Sequence, residues 1–383
     1  MDSRIQLEMS ALIRESYTRL PFQKFWTWLT GKERAISPSS RRINPIEPVF
    51  WSLTLLVSGI LGSVLILFCH LNLLWLPMTF LLTVSGARYI VATIIHHGVH
   101  NAVFKTEFAN RILCEILSTL IVVQPFDSYK KFHVYEHHGR DFSTLNDQDL
   151  ATIYSLGLRP GIPILRMKWL LAWQCINPMF HLRFMFGRVT NNLIDVPFYR
   201  LIMSCLWFGT LAWIGTVVGP YVFIIAIIMP CTIIYQICSL LHLVTEHAWV
   251  LRQSEETVRT SHVKNSHARF CGGALPSKEL RGIKRFSAWS SWWLLHFLLH
   301  LPTRMLIVQG SLVVHDWHHR SGSDRGWPNA IQKREKDLQR EMACDLYTYY
   351  DMWGIHNVIN DVMQRIYDAP NLNTTEELKC RLN

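Results

Sequence analysis

The stretch VFWSLTLLVSGILGSVLILFC, from Val49 to Cys69, contains no charged side chain. As an α-helix it would span about 30 Å, which is the thickness of the hydrocarbon layer of a bilayer. The whole chain of 383 residues is 50% hydrophobic, and its mean hydropathy of +0.15 is high for a soluble domain of this size. The sequence therefore predicts an integral membrane protein.

Three further apolar runs are long enough to cross a membrane. The run from Leu73 to Ile95 is interrupted only by Arg88, whose long side chain we expect to reach the lipid headgroups. The runs from Leu201 to Val218 and from Tyr221 to Leu241 are separated by Gly-Pro, which predicts a tight hairpin. Together the four runs predict two transmembrane hairpins, with helices at residues 49–69, 73–95, 201–218 and 221–241.

The distribution of basic residues predicts how these hairpins are oriented. The short turns at residues 70–74 and 218–221 carry no Lys or Arg, whereas basic residues flank the opposite ends of the spans. By the positive-inside rule, both termini and the long loops are expected in the cytosol, beneath a bacterial inner membrane or the endoplasmic reticulum. The net charge of +10 then fits attraction to anionic lipid. No basic run with interleaved aromatic residues indicates nucleic-acid binding.

Two shorter apolar stretches, Ile112 to Phe126 and Trp289 to Leu301, are too short to cross a membrane as helices. We expect interfacial or re-entrant helices there, and buried helices of the cytosolic part are the alternative. The predicted fold is an all-α integral membrane protein with four transmembrane helices in two hairpins and a cytosolic helical cap. Its predicted parts are a cytosolic N-terminal segment (1–48), a membrane domain (49–320) and a cytosolic C-terminal segment (321–383).

Histidine is concentrated in a few short segments. The first motif is HHGVH from His96, the second is HVYEHH from His133, and the third is HDWHH from His315; HLVTEH begins at His242. With 18 His in the chain, repeated clusters of this density are not expected by chance. Each segment follows a predicted span at its cytosolic end or lies in a predicted cytosolic segment, so all of them can meet at one face of the membrane.

The spacing within the first and third motifs predicts metal-facing stripes on helices. His96 and His100 are four residues apart, and His318 and His319 follow His315 by three and four residues. Residues at these separations are neighbours on one face of a helix. We therefore expect each of these two motifs to present one face to a metal ion.

The second motif is less regular. His137 is four residues after His133, but His138 is five residues after it and would point about 140° away on an α-helix. We expect the helix to end at this point, with Gly139 as the stop that lets His138 turn inward.

The number of histidines favours two metal ions. One zinc takes four ligands and usually fewer histidines than this. Imidazole suits Zn, Cu, Fe or Ni, and a nitrogen-rich site with open positions suits O₂ chemistry at iron. The predicted metal ligands are His96, His100, His133, His137, His138, His315, His318 and His319, with His247 as a ninth.

The other histidines are expected to lie outside the metal site. His97 follows His96 but points about 100° away from it, so we expect it beside the ligands. Isolated histidines are mostly surface or hydrogen-bonded residues. We leave out His70, His181, His262, His267, His296, His300 and His356.

Three carboxylates, Glu136, Glu246 and Asp316, are next to these histidines in the sequence. They could orient imidazoles by accepting hydrogen bonds from the far ring nitrogens. The alternative for each of them is a solvated surface carboxylate.

The motifs resemble those of the membrane fatty acid desaturase and hydroxylase superfamily, whose members share three histidine boxes around a di-iron centre. HHGVHNAVF is similar to the first box, HVYEHHGRDF to the second and HDWHHR to the third. HLVTEHAW is similar to the element that supplies an additional ligand, which favours His247 over His242. The resemblance covers about Val49 to Arg320.

The third box departs from the pattern of many lipid desaturases, because Val-Val precedes it and the Glu-His-His sequence is replaced. Substrate and regiochemistry are therefore not carried over from the family. The haem-binding His-Pro-Gly-Gly of fused cytochrome domains is missing as well. The electrons are expected to come from a separate ferredoxin, cytochrome b5-like protein or reductase.

The resemblance implies that two iron ions activate O₂ and that an unactivated C–H bond of a lipid chain is oxidised. Desaturation is the favoured outcome, and hydroxylation and oxidative decarboxylation to a terminal alkene are alternatives that depend on sub-ångström placement of the substrate. Fatty acyl chains are the leading substrates, with free fatty acids, acyl-lipids, sphingoid bases, alkanes and carotenoid-like terpenes also open. A membrane metal-binding protein or transporter is the non-enzymatic alternative, which is disfavoured because no histidine is central in the four spans.

Overall fold

A computed structural model describes residues 3–35 and 41–373. Residues 1–2, 36–40 and 374–383, which belong to the predicted terminal segments, lie outside the described residues. The described chain is mostly helical. Its helices are α1 (Ser3–Ser16), α2 (Gln23–Thr30), α3 (Glu47–Phe68), α4 (Leu73–Val99), α5 (Glu107–Ile121), α6 (Phe126–Arg140), α7 (Gln148–Ser155), α8 (Ile164–Ile176), α9 (Pro178–Leu193), α10 (Phe198–Val218), α11 (Pro220–Glu246), α12 (Val258–Asn265), α13 (Gly282–Ile307), α14 (Gly310–Arg320), α15 (Ala330–Ala343) and α16 (Ile355–Asp368).

Four helices in the described part of the chain are long and apolar enough to cross a membrane: α3, α4, α10 and α11. The four predicted apolar spans are therefore confirmed as helices. Two of them extend beyond their predicted C-terminal ends, since α4 continues to Val99 and α11 continues to Glu246. As a result His96 and His242 lie on the last turns of these helices and do not follow them. The arrangement of the four helices as two hairpins with cytosolic ends stays a prediction.

Helices α3 and α4 pack closely because each presents a glycine to the backbone of the other. A Cβ atom at Gly86 would overlap the backbone of Leu56, and one at Gly59 would overlap the backbone of Thr83. Small residues at such positions let apolar helices approach each other closely. This packing fixes the position of α4, which carries the first histidine motif.

Two pairs of helices are sharply bent. Helices α5 and α6 meet at 103°, and α13 and α14 meet at 108°, which is the shape of a broken span or a re-entrant loop. Leu294, Phe297 and Leu298 of α13 are exposed, which argues against a buried helix in this stretch. The second histidine motif lies on α6 and the third on α14, so each motif follows a bend.

The all-α prediction was wrong in one detail. Strand β1 (Ala268–Phe270) pairs in parallel with β2 (Asp351–Trp353), and His247 forms an isolated bridge with Ser266. Strands of three residues are too short for an alternating pattern to reveal them. The pairing joins the C-terminal region to the part of the chain that carries the histidines.

Candidate metal centre

The nine predicted histidines meet in one place and divide into two groups. Within each group, the nitrogen atoms that could hold a metal lie within 4.8 Å of one another. The five-histidine group consists of His96, His100, His133, His138 and His318, and the four-histidine group consists of His137, His247, His315 and His319. Imidazole sets of this size suit transition-metal ions.

The second motif serves both groups because its backbone is a π-helix, Lys131–Arg140. In a π-helix the hydrogen bonds join residues five apart, and such residues face the same side. His133 and His138 therefore join the five-histidine group, while His137 faces the four-histidine group. The expectation from α-helical geometry, that His137 shares the face of His133, was wrong. Gly139 leaves the helical conformation at φ −105° and ψ −135°, as expected for a stop after His138.

The third motif is also divided, although a single metal-facing stripe was expected. His315 and His319 join the four-histidine group, and their Nε2 atoms lie 3.0 Å apart. His318 joins the five-histidine group, with its Nε2 2.7 Å from Nε2 of His96. Since consecutive residues of an α-helix are rotated by about 100°, neighbouring histidines can face two different groups.

The inward nitrogens of both groups fit metal ions. The Nε2 atoms of His100, His133 and His138 are buried and have no hydrogen-bond partner. Buried polar atoms of native proteins almost always have one. In the four-histidine group, neighbouring Nε2 atoms lie 3.0 to 3.2 Å apart. Several imidazole nitrogens that point at a common centre are arranged as ligands of a cation.

Burial favours neutral imidazoles over most of the site. His137 is the exception, because burial would lower its pKa but Asp147 and Asp149 raise it to about 9. Burial lowers the pKa of His100 to about 3. Burial, together with the nearby His315 and His137, lowers the pKa of His247 well below its usual value. A metal ion binds the deprotonated ring, so these histidines have no proton to lose before they bind a cation at neutral pH.

Asp147 orients His137, a role that sequence reasoning missed. Nδ1–H of His137 donates to Oδ2 of Asp147 at 2.9 Å, and both side chains are almost completely buried. This bond fixes the ring tautomer and leaves Nε2 free for a metal. Asp149 lies farther away, with Oδ2 3.9 Å from the same Nδ1. The cluster of His137, Asp147 and Asp149 thus consists of one predicted ligand and the carboxylates next to its outward-facing ring nitrogen. An Asp before an apolar helical stretch signals a helix cap, but it does not reveal a distant imidazole partner.

The three carboxylates predicted to orient imidazoles do not act as expected. Glu136 is half-buried and forms no hydrogen bond to an imidazole in the described chain. Asp316 instead accepts hydrogen bonds from Nε and Nη2 of Arg334. Glu246 Oε1 lies 3.0 Å from Nε2 of His315, which is the inward nitrogen of that ring. The Glu246 carboxylate therefore lies on the same side of His315 as the nitrogen atoms that could hold a metal.

His247 and His242 occupy different environments. His247 belongs to the four-histidine group, as expected for the ninth ligand. His242 lies outside both groups, because its Nδ1 bonds to the carbonyl oxygen of Ile307 at 2.8 Å and its Nε2 lies 3.4 Å from Glu246.

Two other histidines pack against the groups without joining them. His97 bonds through Nε2 to the hydroxyl of Ser311 at 2.7 Å and stacks on Trp327, in agreement with its predicted place beside the ligands. His262 was set aside in the sequence, but its ring centroid lies 4.5 Å from that of His319. Burial lowers the pKa of His262 to about 4, so it adds an uncharged wall to the site.

A buried ionic network supports the third motif from behind. Arg334 pairs with Asp316 at 2.6 Å and with Asp351 at 2.8 Å, and Lys32 pairs with Asp351 at 2.8 Å. Burial alone would raise the pKa of Asp351, but Lys32 and Arg334 hold it well below its usual value. Residues before α3 and after α14 therefore help to position the histidines.

A cavity of about 410 Å³ adjoins the five-histidine group and reaches Glu246. His96 and His133 of the five-histidine group line it, as does Glu246 beside the four-histidine group. Its volume lies in the range of small-molecule sites. Most of the remaining wall is apolar and includes Val91, Ile95, Phe132, Phe180, Leu240 and Leu243.

Comparison with protein families agrees with this site. The sequence model of the fatty acid desaturase family matches residues 73–274, more than half of the chain. Neither curated proteins nor solved structures gave a match. The third motif follows the matched range, yet its histidines complete both groups. The four apolar helices and the histidine groups indicate a membrane oxidoreductase with a metal site, and the chain belongs to the fatty acid desaturase family.

Proposed function

We propose that this protein uses two iron ions and O₂ to oxidise an unactivated C–H bond of a fatty acyl chain, and that the reaction is desaturation. The observation that carries the proposal is the pair of adjacent imidazole groups beside an apolar cavity. Nitrogen-rich sites with open positions suit O₂ chemistry at iron. Membership of the fatty acid desaturase family supports lipid oxidation.

The two groups would hold one ion each. The five-histidine group offers five imidazole ligands, and the four-histidine group offers four, with Glu246 next to His315 as a carboxylate. Iron in both groups would supply O₂ activation with electrons from an external donor. The reaction balances when the chain loses two hydrogens and O₂ takes up two electrons and two protons, so that two water molecules leave.

The cavity determines which carbon reacts. Val91, Phe132 and Leu240 give it walls that exclude water and hold a methylene chain by contact alone. Tyr129 also lines the cavity and stacks against His133, with ring centroids 5.3 Å apart, which limits the movement of that ring. Glu246 supplies a carboxylate oxygen at the cavity wall, beside the four-histidine group.

The partners follow from this chemistry. The substrate comes from the bilayer or a carrier, and the electrons come from a separate ferredoxin, cytochrome b5-like protein or reductase. We place the site at the cytosolic face of a bacterial inner membrane or the endoplasmic reticulum, because the basic residues lie on that side of the spans.

Expression in a host of known lipid composition, followed by mass spectrometry of acyl chains and hydrocarbons, tests the proposal. Acyl chains that have lost two hydrogens, from a protein that holds about two iron ions, are the expected result. A gain of one oxygen would make the protein a hydroxylase. A terminal alkene one carbon shorter would make it a decarboxylase. Absence of both iron and product with an electron donor supplied would overturn the proposal in favour of a non-enzymatic metal-binding protein or transporter.

A further inference from the structure

Arg88 lies within the apolar helix α4 and does not reach the headgroups, contrary to expectation. It is only 2% exposed. Its Nη1 donates to the hydroxyl of Ser239 at 2.9 Å and its Nε donates to the carbonyl oxygen of Leu306 at 3.3 Å, whereas its Nη2 is buried without a partner. No carboxylate of the described chain pairs with it. A buried cation without a counter-charge is costly inside a membrane and marks functional positions there.

A second arginine lies close to Arg88 on the same cavity. Both guanidinium groups lie over the ring of Tyr235, with Arg88 5.3 Å and Arg188 5.0 Å from its centroid. All three residues line the cavity, together with Asn191 and Gln124. Arg188 donates only to backbone carbonyl groups, so neither positive charge meets a carboxylate in the described chain. Asp149 and Glu246 also line the cavity, but their ion pairs in the described chain are with histidines. The part of the cavity around the two arginines is therefore cationic.

The cationic part is distant from the histidines along both helices that carry it. Arg88 precedes His96 by eight residues on α4, which corresponds to about two helical turns. Tyr235 precedes Glu246 by eleven residues on α11, which corresponds to about 16 Å. The cavity thus has a cationic end and a metal-facing end, with apolar walls between them.

We propose that the cationic end binds the carboxylate of a free fatty acid, with Arg88 as its main contact, so that the acyl chain extends to the histidine groups. This inference rests on the proposed oxidation of acyl chains and specifies the substrate. An unpartnered guanidinium nitrogen supplies the charge-assisted hydrogen bond that a carboxylate accepts. Because Arg88 is almost fully enclosed, a small anionic head fits there and the bulky head of a phospholipid or carrier thioester does not.

The separation of the two ends determines where the chain is oxidised. A carboxylate held at Arg88 leaves several carbons between the head and the histidine groups. Oxidation then occurs within the chain, which favours an internal double bond over loss of the carboxyl carbon.

Binding measurements with two probes of equal length, hexadecanoate and its methyl ester, test the inference without turnover. Wild-type protein is expected to bind the acid at least tenfold more tightly than the ester. Arg88→Gln should weaken binding of the acid about 10- to 100-fold and leave the ester unchanged, and Arg88→Lys should retain part of the preference. Arg166→Gln, which removes an exposed positive charge from α8, is the matched control and should bind both probes as the wild type does.

The outcomes separate this inference from the proposed function. Equal binding of acid and ester by the wild type, or equal loss of both in the Arg88→Gln protein, would overturn carboxylate recognition, whatever the catalytic result. Preference for the acid in an iron-loaded protein that yields no oxidised product would overturn the proposed function alone. If Arg88→Gln does not fold, the wild-type preference and the position of the double bond decide, since a product oxidised next to the carboxyl group contradicts the inference.

Discussion

Replacement of Asp147 by Asn is expected to weaken metal binding in the four-histidine group about 10- to 100-fold, or by about 1.4 to 2.8 kcal/mol. Asn keeps the oxygen that caps α7, where Oδ1 of Asp147 accepts a hydrogen bond from the backbone N–H of Asp149 at 3.0 Å. It removes the anionic acceptor that lies 2.9 Å from Nδ1 of His137. Since the two side chains are at most 1% exposed, water cannot replace that acceptor. The ring then loses the bond that keeps its proton on Nδ1 and its Nε2 free for a metal.

The assay is metal content by mass spectrometry after equilibration with increasing concentrations of a chelator. The Asp147→Asn protein should lose about half of its metal at chelator concentrations that leave the wild type loaded. Glu136→Gln is the matched control, because Glu136 precedes His137 but bonds to no imidazole of the described chain, and it should behave as the wild type. Equal retention by Asp147→Asn and the wild type, or equal loss in the control, would refute the role assigned to Asp147.

Three further substitutions test the packing, the metal groups and the ionic network. Gly86→Ala should destabilise the protein by about 1 to 3 kcal/mol because its Cβ would overlap the backbone of α3, whereas Gly187→Ala has no neighbour within 4 Å, and thermal unfolding compares the two. His318→Ala should abolish activity and reduce bound metal with little change in unfolding temperature. The control His356→Ala changes an exposed residue and should retain both activity and metal. Equal activity of the two variants would exclude the third motif from the mechanism. Asp351→Asn should cost about 1.5 to 3 kcal/mol near neutral pH, because Lys32 and Arg334 each lose one of their two carboxylate partners. Because the pKa of Asp351 is depressed in the folded state, its contribution to the free energy of unfolding is present above the unfolded pKa of about 3.9 and is lost as the pH falls further. A difference in stability between the variant and the wild type that does not shrink in acid would contradict this reasoning.

The sequence predicted the features whose signals are local. The charge-free run from Val49 to Cys69 was sufficient to predict α3, and the histidine motifs were sufficient to predict which nine imidazoles meet. The division into two groups was not predictable in the same way. It depends on a π-helix that begins at Lys131, and no residue pattern in that segment distinguishes it from an α-helix.

Contacts between distant parts of the chain were also beyond the reach of sequence reasoning. Arg88 near the end of an apolar run predicts a side chain that reaches the headgroups, but Ser239 and Leu306, more than 150 residues away, hold it inside. Asp316 was expected to orient an imidazole, but Arg334 takes both of its oxygens. Hydrogen-bond geometry of this kind becomes visible only when the helices are packed.

The division of the second and third motifs between the two groups makes the number of residues in each motif as important as their identity. Insertion of one residue between His137 and His138 would turn one of these rings away from its group and leave its partner in place. Each motif therefore couples the two groups, because the position of a histidine in one group depends on its spacing from a histidine in the other. The length of each segment between the histidines is thus part of the site.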